Sequence, residues 1–291
     1  IKLIKSAVGK KFFFQLLATE NKSKITPFYL AVKFLDSTII LELMKMLGPT
    51  RCCSLISKTT HLGRNSLQVA GKFNSSAVLL QMCEFLGDSL FNVAKVTNND
   101  GWTALHVVTK YQKEDVVQNF INLFTSSQLA ELLSIVDSLG VTPFHLGVCI
   151  QTHDIISQFI KILGDKAIDI IKIQDEEGHN SFHSALIYQE WETVLLFIDL
   201  LGENLKEFLL IEDLLGLTPL HLAIHHENSN MSVDFIEYYQ KYDINISEMK
   251  TKRNCTILHE VVHYQPPDVV TKYISVIGEK LSDIILDTDN E

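Results

Sequence analysis

The sequence predicts an all-α fold made of tandem helical repeats. Three observations support this prediction: one short motif recurs along the chain, the spacing between its copies is nearly constant, and the copies carry residues that begin a helix. The clearest copy runs from Gly216 to Ala223 and reads Gly-Leu-Thr-Pro-Leu-His-Leu-Ala. Regular recurrence of such a motif is typical of folds in which each repeat stacks on its neighbours.

The recurrence is measured from the residue that occupies the position of Thr218, which we name the anchor. Seven anchors follow one another at intervals of 39, 38, 39, 38, 38 and 38 residues: Thr26, Asn65, Thr103, Thr142, Asn180, Thr218 and Thr256. Because the interval varies by a single residue, the chain is interpreted as a series of equivalent repeats.

Each anchor is of a type that begins a helix. Thr and Asn side chains accept hydrogen bonds from the free N–H groups of the first helical turn, and Pro, which follows three of the Thr anchors, is favoured at the first helical position. A Gly stands two residues before the anchor in five repeats, and Gly enters the left-handed region freely. Three residues earlier, Asp137, Asp175 and Asp213 predict Asp-x-x-Gly turns.

The turn and the motif together resemble the ankyrin repeat family, whose signature is an Asp-x-x-Gly turn followed by Thr-Pro-Leu-His-x-Ala. The resemblance covers the whole chain. It implies helix–turn–helix repeats, stacked into a curved solenoid whose concave face and loop tips bind macromolecules, and it does not imply catalysis. The repeats are about five residues longer than is usual for the family. The first repeat departs most from the signature, with Asn21, Lys24 and Tyr29 at signature positions.

We predict one all-α, ankyrin-type helical repeat solenoid over residues 1–291. Its seven full repeats, numbered one to seven, are predicted at residues 21–59, 60–97, 98–136, 137–174, 175–212, 213–250 and 251–286, with partial repeats at 1–20 and 287–291. The cut repeats and the absence of an initiator Met predict that the sequence is a fragment of a longer protein.

The extra length predicts a short third helix in most repeats. In the fourth repeat, Val141–Gln151 is predicted as the first helix, and Asp154 is predicted to cap the second. The residues that follow are apolar at helical spacing in Asp165–Lys172, and the same pattern recurs in Glu203–Leu210 and Glu279–Leu286. We therefore predict a short third helix in at least four repeats, together with reduced β-hairpins.

Composition argues against several classes of partner and compartment. The formal net charge is −10, and we find no Lys or Arg cluster on a periodic face, so we predict neither nucleic-acid binding nor membrane binding. The five cysteines are scattered without a Cys-x-x-Cys pair, which is typical of free thiols in a reducing compartment. With no signal peptide or apolar run long enough to span a membrane, we predict a cytoplasmic monomer without cofactors.

Three functions are compatible with these features. The favoured one is a non-enzymatic scaffold that binds a protein partner, and the second is the recognition arm of a larger enzyme whose catalytic part lies elsewhere. The bias towards Ile, Lys, Asn and Phe indicates an AT-rich genome, such as that of an intracellular bacterium. Ankyrin arrays of such bacteria often act as secreted effectors, which makes the host cytosol an additional expected location by analogy of fold.

The third function is a zinc hydrolase, suggested by the sequence His-Glu-Val-Val-His at residues 259–263. Two His residues at i and i+4 share a helix face and can bind zinc, while Glu260 can polarise a water. However, His259 occupies a position that recurs three residues after the anchor, where the family uses His to bond the turn backbone; the other copies are His106, His145, His183 and His221. No third ligand is evident, because the nearest candidate, Glu279, follows a Gly and belongs to the extra segment, so we predict no metal site.

Candidate partner-binding residues are those that vary between repeats at positions the family exposes. They are Arg64, Trp102, His179 and Leu217 just after the turn Gly, Leu214 and Leu215 at a turn tip, and Tyr111, Tyr188, His225 and His226 late on the first helices. Aromatic side chains dominate many binding hot spots. The position eight residues after the anchor is Phe or Tyr in five of the seven repeats, and because this pattern recurs we favour packing between repeats over partner binding there.

Overall fold

The computed structural model describes residues 11–226 and 229–278. Within these ranges all regular elements are helices, and the one β pairing is an isolated antiparallel bridge between Lys250 and Thr256. The chain divides into two compact blocks, the first ending at Lys166 and the second beginning at Ala167. Whether the repeats form one array over the whole chain stays a prediction.

The first block contains the helices of repeats one to three and the first two helices of repeat four. Residues 11–18 are helical. The α-helices that follow are α1 Pro27–Phe34, α2 Ser37–Leu47, α3 Pro49–Ile56, α4 Ser66–Phe73, α5 Ser76–Leu86, α6 Leu90–Ala94, α7 Ala104–Tyr111, α8 Glu114–Ile121, α9 Ser126–Leu133, α10 Pro143–Ile150 and α11 His153–Leu163. Short 3₁₀ helices at Gly87–Ser89 and Gly164–Lys166 follow α5 and α11.

The second block contains the helices of repeats five to seven, preceded by the third helix of repeat four. Its α-helices are α12 Ala167–Ile171, α13 Ser181–Tyr188, α14 Trp191–Leu201, α15 Leu205–Phe208, α16 Pro219–His225, α17 Ser229–Lys241, α18 Ile257–Tyr264 and α19 Pro267–Ile277. Short 3₁₀ helices lie at Gly202–Asn204 and Ile246–Glu248.

The predicted all-α helical repeat fold is confirmed, and in the described residues a pair of helices follows each of the seven anchors; the bounds of the seven repeats stay a prediction. A short third α-helix is present in five repeats, as α3, α6, α9, α12 and α15, so that prediction is also confirmed. The predicted segment Glu279–Leu286 lies outside the described residues. Asp154 does not cap α11: Thr152 is the N-cap residue, and Asp154 lies in the first turn, where a negative charge is favourable near the positive end of the helix dipole.

The buried positions follow from the motif. The residue two places after the anchor is completely buried in six repeats, as Phe28, Leu67, Leu105, Phe144, Phe182 and Leu220. The second helices contribute apolar faces to the same core; in α11, for example, Ile155, Ile156 and Phe159 are buried. Within each block, the spacing of these residues along the first and second helices thus gives the repeats apolar faces that pack on neighbouring repeats.

The turns between repeats are held by the aspartates of the Asp-x-x-Gly sequence. Asp213 Oδ1 accepts hydrogen bonds from the N–H groups of Leu215 and Leu217, both at 2.8 Å. Successive turns are joined by backbone bonds, such as Leu214 N–H to Glu177 O at 2.9 Å. They also approach closely: Gly101 has a φ of +82°, and a Cβ there would lie 2.6 Å from Asp137 Cα. Only Gly fits such a contact without a backbone shift.

One stretch of the described chain, Ser76–Ala94, is long and apolar enough to cross a membrane by length and composition alone. The expectation that no such run exists is therefore wrong as a statement about composition. In the fold this stretch is divided into α5 and α6 by the turn at Gly87–Ser89, and Val78, Leu79 and Met82 are buried among other repeats. Core helices of globular folds pass the same test, so the stretch is weak support for a membrane span.

Candidate functional site

Three consecutive first helices of the first block end in a Lys followed by an aromatic residue. The pairs are Lys33-Phe34 on α1, Lys72-Phe73 on α4 and Lys110-Tyr111 on α7. All six side chains are exposed. Because the helices are equivalent elements of adjacent repeats, equivalent residues stand beside one another.

The lysine side chains of this set lie close to aromatic rings of their own repeat and of the next repeat. Lys33 Nζ lies 5.0 Å from the ring centre of Phe34 and 5.7 Å from that of Phe73. Lys72 Nζ lies 5.5 Å from the ring centre of Phe73 and 4.5 Å from that of Tyr111. Such distances allow cation–π attraction. We name the six residues Lys33, Phe34, Lys72, Phe73, Lys110 and Tyr111 the Lys–aromatic ladder.

Trp102 joins the ladder to the turns. Its indole Nε1–H donates to Asp137 Oδ2 at 2.9 Å, and its ring lies 6.0 Å from that of His106 and 6.3 Å from that of Tyr111. Lys110 Nζ lies 5.0 Å from its ring centre. Because Trp102 is half-buried and bonds the next turn, we expect its replacement to affect stability as well as any partner binding.

A cavity of about 190 Å³ opens between the ladder and the turns. Its floor includes the buried side chains of Tyr29, Val69 and Val107. Its walls include Lys33, Lys72, Phe73, Tyr111, Trp102, Arg64 and Asp100. Arg64 Nη2 is 3.1 Å from Asp100 Oδ2, so this cation is paired with the following turn. Three predicted site residues, Arg64, Trp102 and Tyr111, therefore line one cavity.

Two expectations from the sequence are wrong at this site. A periodic basic face exists, because the position seven residues after the anchor holds Lys33, Lys72 and Lys110 in three successive repeats. The aromatic position that follows is not buried between repeats: Phe34 is 70% exposed, and Phe73 and Tyr188 are more than half exposed. The regular interval of these residues was visible in the sequence, but their exposure depends on how far each helix end projects.

The remaining predicted site residues lie in the second block, in three different surroundings. Leu214 and Leu215 project from a turn tip and are 58% and 65% exposed, while Leu217 is half-buried. His179 Nε2 lies 3.1 Å from Asp213 Oδ2, so His179 bonds the next turn just as Trp102 does in the first block. His226 is half-buried, and Tyr188 is exposed at the end of α13.

The last of these residues, His225, bears on the zinc hydrolase hypothesis. Its Nε2–H donates to Glu260 Oε2 at 2.8 Å, and its ring lies 4.1 Å from that of Tyr264. The hydrogen bond from His225 lowers the pKa of the Glu260 carboxyl. Glu260 is thus paired with the preceding repeat, and no group of three metal-ligating side chains is found among the residues that the structure describes. Glu279, the third ligand considered, lies outside them.

The histidines that recur three residues after the anchor form hydrogen bonds that cap the start of the first helices. His106 Nδ1 accepts the Thr103 N–H at 3.0 Å, while the Thr103 hydroxyl oxygen accepts the His106 N–H at 3.3 Å. His106 Nε2–H donates to Val141 O at 3.2 Å, and His183 Nε2–H to Ile211 O at 3.1 Å. Burial lowers the pKa of His106, His183 and His221 to about 4. These rings are neutral and structural, as the resemblance implies.

A second structural position was missed in the sequence. Nine residues after the anchor, five repeats carry an amide side chain: Asn74, Gln112, Gln151, Gln189 and Gln265. Gln112 donates to Gly71 O at 2.7 Å and Gln151 to Thr109 O at 2.6 Å. Asn74 and Gln265 likewise donate to Val32 O and Ile224 O. The accepting carbonyls lie in the last turn of the preceding first helix, where the helix leaves them unpaired.

Replacing Gln151 by Leu is expected to lower the free energy of unfolding by about 1–3 kcal/mol, because the Thr109 carbonyl would be left buried without a partner. Urea denaturation followed by circular dichroism measures the change. The exposed Gln15 in the same block supplies a control, and Gln15→Leu is expected to stay within about 0.5 kcal/mol. Equal effects of the two substitutions would contradict a capping role for Gln151.

The capping boxes, linked turns and stacked helix pairs define an all-α helical repeat solenoid of the ankyrin type. No family model matches the chain, and no curated protein matches it. Among the solved structures, the ankyrin repeat domain of Bcl-3, described as a unique member of the IkappaB protein family, matches with a TM-score of 0.51 and 18% identity. The match covers 78% of this chain and 90% of that one, and it shows the ankyrin repeat fold.

Proposed function

We propose that this protein is a non-enzymatic scaffold that binds a protein partner through the ends of its first helices and its turn tips. The observation that carries the proposal is the exposure of large apolar and aromatic side chains at these two places. Phe34, Tyr188, Leu214 and Leu215 are each more than half exposed. Exposed side chains of this kind, concentrated at recurring positions, are typical of interaction surfaces.

The fold supports the same proposal in general terms, because ankyrin repeat domains commonly act as interaction modules. Two narrower proposals follow from the sequence alone. The chain is the recognition arm of a larger enzyme, or it belongs to a secreted bacterial effector that acts in the host cytosol. In each case this segment binds a partner as a monomer. The catalytic proposal based on His259, Glu260 and His263 gains no support from the pairing of Glu260 with His225.

The turn tip at Leu214 and Leu215 supplies the test. We expect each of Leu214→Ser and Leu215→Ser to weaken partner binding by about 1–2 kcal/mol, because buried apolar contacts with the partner would be lost. Both side chains are exposed in the free protein, so stability is expected to change by less than about 0.5 kcal/mol. Affinity capture with quantitative mass spectrometry identifies the partner, and titration calorimetry with the purified partner measures the affinities.

The control removes exposed leucines elsewhere. Leu123 and Leu210 are 47% and 48% exposed, and neither lies at a turn tip or at the end of a first helix. A Leu123→Ser/Leu210→Ser variant is expected to keep full affinity. If it loses as much affinity as the turn-tip variants, or if none of them changes partner capture, the turn tip is not a binding surface.

A further inference from the structure

The Lys–aromatic ladder carries positive charge that the protein itself does not neutralise. α1, α4 and α7 contain no Asp or Glu. Lys33, Lys72 and Lys110 make no ion pair with any of the described residues, although the whole chain has a formal net charge of −10. A strip of three unpaired ammonium groups on an acidic protein is therefore a local feature of repeats one to three.

The ammonium groups rest on ring faces that hold them near the cavity. A cation–π contact at an exposed site is weaker than a well-desolvated, charge-assisted pair with a carboxylate. The rings thus position the ammonium groups, which still lack a carboxylate as a partner. Asp100 is the acidic residue in the cavity wall, and Arg64 already pairs with it.

We propose that the Lys–aromatic ladder and the adjoining cavity bind an acidic, extended segment of a partner protein. This proposal rests on the scaffold function and specifies the partner's chemistry. Carboxylates of the segment pair with Lys33, Lys72 and Lys110, and one apolar or aromatic side chain enters the cavity beside Trp102. Packed helices lie about 8–10 Å apart and an extended chain advances about 3.3 Å per residue, so acidic residues at every third position match the ladder.

The geometry favours a peptide over a single-stranded nucleic acid. Nucleic-acid grooves use aromatic faces for base stacking. Here Phe73 has two ammonium groups within 5.7 Å of its ring centre, and Tyr111 has one at 4.5 Å. A base could stack on these faces only by displacing the lysines, whereas carboxylates bind the ammonium groups where they already lie.

The test is to select peptides from a random library of 12-residue sequences on the intact protein. We expect the selected peptides to be enriched in Asp and Glu, and to bind at least tenfold more weakly to the Lys33→Gln/Lys72→Gln/Lys110→Gln variant, as measured by fluorescence anisotropy. The matched control Lys45→Gln/Lys161→Gln/Lys166→Gln removes the same charge from exposed sites outside the ladder and is expected to bind within twofold of the original protein.

Several outcomes would overturn the proposal. Selected peptides without acidic enrichment, equal losses in the two triple variants, or failure to select any peptide each exclude an acidic segment at the ladder. Tighter binding of a 12-residue oligo-dT than of the best peptide would make the groove a nucleic-acid site. Partner binding that still depends on Leu214 and Leu215 would leave the scaffold function standing in all these cases, so the two proposals fail separately.

Discussion

Acidification from pH 7.5 to pH 5 is expected to destabilise this protein by about 2 kcal/mol for each of three buried histidines. Burial lowers the pKa of His106, His183 and His221 from 6.5 to about 4. Between these values the unfolded chain binds protons that the folded protein does not bind. The stability that the neutral rings provide is therefore present above pH 6.5 and is lost as the pH falls towards 4.

The second repeat shows which residue can replace the buried histidines in a control variant. Gln68 occupies the histidine position there, accepts the Asn65 N–H at 3.0 Å and donates to Val96 O at 2.9 Å and Trp102 O at 2.8 Å. Gln thus makes the bonds of the capping histidine without titrating. The triple variant His106→Gln/His183→Gln/His221→Gln is expected to keep most of its stability at pH 7.5 and to lose much less of it at pH 5.

Urea denaturation at pH 7.5, 6.5, 5.5 and 5 measures the stability of the original protein and of the triple variant. The range stops at pH 5 because carboxyl groups titrate below it and would add their own loss of stability. A repeat protein need not unfold in one step, so the comparison uses the midpoint of each resolved transition. Parallel pH dependence in the original protein and the triple variant would show that the histidines are not responsible.

The repeat architecture could be predicted from the sequence because its determinants are local. The anchor, the turn Gly and the capping His act within a few residues of one another, so their pattern is complete in each copy. His106 bonds Thr103, three residues away, and Asp137 bonds Leu139 and Val141. Repetition then removed the ambiguity of any single copy. The third helices followed from the same argument, since their apolar spacing is also local.

The site was harder to predict because it depends on contacts between repeats. Lys72 and Tyr111 are 39 residues apart in sequence, yet the ammonium group lies 4.5 Å from the ring centre. Trp102 was predicted as a partner-binding residue, and its indole N–H donates a hydrogen bond to Asp137 of the next turn. Predicting either contact requires knowing which residues of one repeat lie beside which residues of the next. The strip of three lysines was not recognised in the sequence because each first helix supplies only one Lys to it.

Replacing Phe182 by Ala is expected to lower the free energy of unfolding by about 3–5 kcal/mol, the usual loss for a fully buried aromatic side chain. Phe182 is completely buried, and its ring centre lies 6.2 Å from that of Phe197, 6.4 Å from that of Phe208 and 6.1 Å from that of Phe235. These rings belong to α13, α14, α15 and α17. One truncation therefore removes contacts within the fifth repeat and between the fifth and sixth.

The sequence itself supplies the conservative replacement, because Leu220 holds the position of Phe182 in the sixth repeat. Phe182→Leu keeps a buried apolar side chain and is expected to cost less than half as much as Phe182→Ala, since the cavity it leaves is smaller. Urea denaturation gives the loss of stability, and hydrogen exchange in residues 181–208 shows whether the helices around the rings open more often. A loss below about 1 kcal/mol for Phe182→Ala would mean that the four rings do not form a shared core between these repeats.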